Sequence, residues 1–87
     1  MGKYLVNTYS TIRKTNGDTF RHEGFSKVVS EKVLELAKQA NKEVGYKYVG
    51  RFKDTNGRYY TKYECMAEEL SNSEREVIYF VTITKLV

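Results

Sequence analysis

The stretch YKYVGRFKDTNGRYYTKYECMA, Tyr46 to Ala67, decides how this chain is read. Asn56-Gly57 are the residue types that tolerate the two positive φ angles of a type I′ turn, so the pattern predicts a β-hairpin closed by a two-residue turn. Centred there, the register sets Lys53 opposite Tyr60, Arg51 opposite Lys62, Val49 opposite Glu64 and Lys47 opposite Met66. Phe52 with Thr61, Gly50 with Tyr63, Tyr48 with Cys65 and Tyr46 with Ala67 fill the other side. Side chains alternate across a strand, so one register sorts the hairpin into two chemistries. One face is aromatic and small and suits a core. The other carries Lys47, Arg51, Lys53, Arg58 and Lys62, with Tyr60 among them and Glu64 as its acid. A sheet face of this kind is ordinarily solvated. Arg51 opposite Lys62 is nevertheless a like-charge pair, which an anionic partner or a nearby carboxylate would relieve.

Upstream, Lys3 to Lys14 has the Tyr, Val, Thr and Ile content of a strand. Asn16-Gly17 repeats the turn signal and returns the chain through Thr19 to Phe25. In that pairing Ile12 lies with Arg21 and Phe20 with Arg13, a conflict that a bulge near Gly24 would resolve. From Val28 to Val44 the period changes. Val29, Val33, Leu36, Ala37, Ala40 and Val44 recur at spacings of three and four, the stripe of an amphipathic helix expected to lie on the sheet. Ser26 or Ser30 can cap its start, and Gly45 suits the position after its end.

Downstream, Ser71 to Glu74 reads as a polar turn leading into Val77-Ile-Tyr-Phe-Val-Thr-Ile83. That run is apolar at both parities, so the strand is expected to be covered on both sides. With a two-residue turn, Tyr79, Val81 and Ile83 fall on the basic face of the hairpin, away from the helix. Large apolar groups left there would call for a subunit or partner contact. A homodimer or protein interface at Tyr79, Val81 and Ile83 is therefore expected.

Eighty-seven residues make one domain, 1–87, with room for a single core. The formal charge of +4 permits a nucleic-acid or acidic-protein partner. One cysteine allows no internal disulfide, which favours a reducing, cytoplasmic setting. No apolar segment approaches a membrane span. Ten Lys against five Arg, with eight Tyr and no Pro, resembles the usage of small phage or mobile-element proteins.

No phosphate loop, CxxC or HExxH occurs, and no cofactor or metal is expected. His22 between Arg21 and Glu23 reads as a surface residue. Cys65 reads as a small core thiol and not as a nucleophile paired with His22. The expected fold is α+β: about five antiparallel strands, ββαβββ, with one helix packed on one face. The expected function is non-enzymatic. A basic sheet face of Lys47, Arg51, Lys53, Arg58, Tyr60 and Lys62 docks nucleic acid or a nucleoprotein. The alternative is a small inhibitor or adaptor that binds a host protein through the last strand and central hairpin.

Overall fold

The structure, a computed structural model, describes residues 2–86. Its elements follow the order ββαβββ: β1 Lys3–Lys14, β2 Thr19–Ser30, α1 Glu31–Glu43, β3 Lys47–Lys53, β4 Tyr59–Met66 and β5 Arg75–Lys85. All strands pair antiparallel in one sheet of order β2-β1-β5-β4-β3. The strand that is apolar at both parities is thus the central one. Each hairpin contributes one strand to flank it.

Both hairpins close differently from the two-residue turn that Asn-Gly predicts. Among the described residues only glycines have positive φ: Gly17 at 93°, Gly45 at 101° and Gly57 at 82°. Asn16 and Asn56 therefore cannot be in type I′ turns, which need positive φ at both central positions. Instead the Asp54 and Arg58 backbones pair across a three-residue loop, with Gly57 N–H donating to the Asp54 carbonyl. The Asp54 carboxylate accepts from the Asn56 and Arg58 N–H groups at 2.9 Å each. An Asp at the first position favours this turn, and glycine then takes the left-handed position that completes it. Lys14 and Asp18 frame the same loop in the first hairpin.

The extra loop residue shifts the register by one. Arg51 lies opposite Thr61, Phe52 opposite Tyr60 and Lys53 opposite Tyr59, and the expected Arg51 to Lys62 pairing does not occur. A bulge at Val49 shifts the strand again, so that Tyr48 meets Tyr63 and Lys47 meets Glu64. In the first hairpin, Ile12 meets Phe20, and Gly24 and Phe25 together oppose Thr8. The bulge expected near Gly24 is present. A Cβ at Gly24 would lie 2.2 Å from the Thr8 hydroxyl oxygen, and that hydroxyl accepts from Phe25 N–H at 2.9 Å.

Ser30 caps α1, its hydroxyl accepting from Val33 N–H, and Gly45 follows the C-cap Val44. The helix starts at Glu31; Val28 and Val29 belong to β2. The residue it buries is Leu34, 2% exposed, against Val81 and Ile83 with Tyr4, Val6, Val29, Tyr46 and Tyr63 around them. The apolar stripe at Val33, Leu36 and Val44 is exposed, contrary to expectation. At about 100° per residue, Leu34 sits roughly a third of a turn from the centre of that stripe. β2 runs into α1 with no intervening loop, so the strand end and the Ser30 cap set the roll of the helix.

The last strand corrects a second expectation. Val81 and Ile83 point at the helix and are buried in the core, and Tyr79 shares their parity. Tyr79 itself stays 38% exposed, so two of the three residues expected at an interface lie inside the chain's own core.

Candidate nucleic-acid interface

On the side of the sheet away from α1, the pairing rows bring together residues that are distant in sequence. Tyr9 of β1 lies opposite Phe80 of β5, and their rings stack at 4.8 Å between centroids and 17° between planes. The Arg21 guanidinium of β2 lies over the Tyr9 ring at 3.8 Å. The Lys62 ammonium of β4 lies over the Phe80 ring at 4.4 Å. Cation, ring, ring and cation thus form a row across β2, β1, β5 and β4. Attraction between a cation and a ring face holds long basic side chains near the sheet and keeps their charge accessible. A second stacked pair, Phe52 with Tyr60, stands beside this row at 5.7 Å.

Between the two pairs the face is hollow. A depression of about 420 Å³ is lined by Asn7, Ser26, Tyr60, Thr82 and Thr84, with Arg21, Glu23 and Asp54 among its walls. Thr82 and Thr84 are buried although no helix covers them. Both carboxylates are engaged: Glu23 with Arg21 Nε at 2.5 Å, and Asp54 with the backbone of its own turn.

The six residues expected to form one basic face are divided. Lys47, Tyr60 and Lys62 share the open face, with Lys47 directly opposite Glu64. Arg51 and Lys53 are on the helix side, where both approach the Tyr59 ring, at 4.6 and 5.8 Å. Arg58 is in the turn. Arg21, Tyr9, Phe80 and Phe52 were not in the expected set. Phe52 enters through the shifted hairpin register, and Arg21, Tyr9 and Phe80 enter through the pairing of β1 with β5, which no local sequence pattern encodes.

Cys65, Tyr79, Ser10 and His22 occupy one row across β4, β5, β1 and β2. Three strand spacings of about 4.8 Å separate the thiol from the imidazole, too far for a nucleophile and its base. The Cys65 thiol is half-buried and lies 3.8 Å from the Val44 carbonyl. Burial, and then its neighbours Cys65 and Tyr79, push the Tyr46 phenol above its usual 10.0. Among the described residues no group of three or more His, Cys, Asp or Glu side chains could hold a metal, and no helix is long and apolar enough to cross a membrane.

No protein-family model matches the chain, and no curated protein or solved structure is significantly similar to it.

Proposed function

We propose that the protein is a non-enzymatic binding module whose open sheet face takes single-stranded nucleic acid. The row of Arg21, Tyr9, Phe80 and Lys62 carries this reading. Single strands are bound where a basic surface follows the phosphates and aromatic side chains offer stacking to unpaired bases. In this assignment Lys47, Lys62 and Arg21 meet phosphates. The Phe52 and Tyr60 pair offers a stacking surface, and Thr82 and Thr84 floor the hollow for sugar hydroxyls. The lone cysteine and the net charge of +4 accord with a cytoplasmic, nucleic-acid-associated role.

Fluorescence anisotropy with labelled single-stranded oligonucleotides tests it. Affinity should fall steeply with salt, and Arg21→Ala with Lys62→Ala should lower the slope of log K against log salt by roughly 1.4, two contacts at about 0.7 each. Absence of binding at low salt, or an unchanged slope in the double variant, rejects the reading.

A protein partner is the second reading, favoured by the exposed Val33, Leu36 and Val44 of α1. Capture that survives high salt and nuclease, and is lost in Leu36→Glu, would favour it over the first.

A further inference from the structure

The other side of the sheet holds a cleft that the open-face reading does not use. Because α1 buries Leu34 and not its apolar stripe, its second half turns Lys38, Asn41 and Lys42 toward the strands. Opposite them stand Tyr46, Tyr48 and Tyr63 above Ile83, and the space between measures about 290 Å³. A polar helix flank over an aromatic floor does not close.

The walls define a ligand. Tyr48 and Tyr63 meet edge to face, with centroids 5.9 Å apart, and Tyr48 remains 64% exposed at the rim. Among the described residues, the three phenol hydroxyls and the Asn41 carboxamide have no protein hydrogen-bond partner. Rings with free polar tips suit a flat heterocycle that carries its own donors and acceptors. No carboxylate lines the cleft. Lys38 is shared with Glu35 at 3.7 Å, whereas Lys42 has no ion-pair partner among the described residues. The volume is near the low end of small-molecule sites, about 300–1,000 Å³, enough for a base and its sugar with a phosphate at the mouth.

We infer that this cleft binds one nucleoside monophosphate. The base lies among Tyr46, Tyr48 and Tyr63, the Asn41 amide reads its edge, and the phosphate meets Lys42. This assignment stands apart from the open face and does not rest on it.

Two-dimensional NMR titration of the whole protein with AMP and UMP tests it, with adenosine and inorganic phosphate as partial ligands. Saturable shifts should centre on Asn41, Tyr46, Tyr48 and Tyr63 for the nucleotides, be weaker for adenosine, and be absent there for phosphate. Tyr48→Ala should weaken AMP roughly tenfold through lost stacking. Lys42→Ala should weaken AMP and leave adenosine unchanged. Arg21→Ala with Lys62→Ala should change neither, which separates this site from the open face. Tyr48 and Lys42 are exposed, so both variants should keep the wild-type spectrum elsewhere. No saturable shift at millimolar nucleotide, equal response to phosphate alone, or full AMP affinity in Tyr48→Ala overturns the inference.

Discussion

The two faces of the sheet are built from alternate residues of the same strands and hold themselves together differently. On the α1 side, cohesion comes from aliphatic burial around Leu34, Val81 and Ile83. On the open side it comes from rings and cations, with Tyr9 on Phe80, Arg21 on Tyr9 and Lys62 on Phe80. Burial of aliphatic groups is non-directional and uses up the surface it joins. Stacked rings with cations above them stay partly accessible and remain able to bind. The packing around Leu34 therefore contributes stability, whereas the open face, like the cleft beside the second half of α1, keeps its chemistry on display.

The sharpest way to break this contrast is Leu34→Ala. Losing the one buried helix side chain should destabilise the domain by about 3 kcal/mol, read by urea unfolding. A loss under about 1 kcal/mol would mean that the helix is not what stabilises its face. Next comes Gly24→Ala. Its Cβ would also lie 2.8 Å from the Thr8 carbonyl oxygen, which cannot swing aside. A cost of about 2 kcal/mol is expected, with the bulge distorted for both faces at once. Thermal unfolding indistinguishable from wild type would show that the bulge can relocate.

Phe80→Ala probes the open side. Half-buried and stacked on one ring, it should cost about 1–2 kcal/mol, less than Leu34→Ala despite its larger side chain. A greater loss than at Leu34 would invert the contrast. Leu36→Ser should change stability by no more than about 0.5 kcal/mol, because this side chain is already 64% exposed. The smallest effect is at high pH. The folded chain holds the Tyr46 proton more tightly than the unfolded chain does. Its contribution is therefore complete below about pH 10 and is lost as pH rises through the raised value. In Tyr46→Phe the alkaline fall in stability should be shallower and a tyrosinate absorbance step above the usual range should vanish. An unaltered titration curve would assign that step to another tyrosine.

Elements whose cause is local were legible in the sequence. The strand and helix order, the Ser30 cap and Gly45 each rest on local pattern or preference, and the bulge at Gly24 on the one residue type that leaves room for Thr8 opposite. Faces were harder to read, because a one-residue shift reverses all of them. Asn-Gly matched a type I′ turn, but Asp54 took the Asn56 and Arg58 amides and stabilised a longer loop. That longer loop sent Arg51 and Lys53 to the helix side and Phe52 to the open one, while the bulge at Val49 returned Tyr48 and Lys47 to their expected sides. Tyr79, Val81 and Ile83 changed sides through a separate one-residue shift in the β4 to β5 connection, which pairs Met66 with Ile78 and Cys65 with Tyr79. The helix stripe misled because periodicity reports which residues are apolar, while the direct β2 to α1 junction fixes which way they point. The candidate site was half visible: Lys47, Tyr60 and Lys62 came from one hairpin, whereas Arg21, Tyr9 and Phe80 needed the long-range β1 to β5 pairing.

That pairing has a consequence for how the chain comes off the ribosome. Among the described residues β5 is the last strand in chain order and the only one that touches both hairpins. Until residues 75–85 emerge, β1–β2 and β3–β4 are two separate ribbons, and an isolated hairpin is marginal in water. The helix has a cap but no finished floor to settle on. Assembly is therefore an insertion, with one late strand sliding between two waiting partners and closing long chain loops on each side. Such non-local closure is slow. Throughout that delay the chain carries its most aggregation-prone run unpaired, which makes the folding interval, and not the folded lifetime, the period of greatest exposure to aggregation.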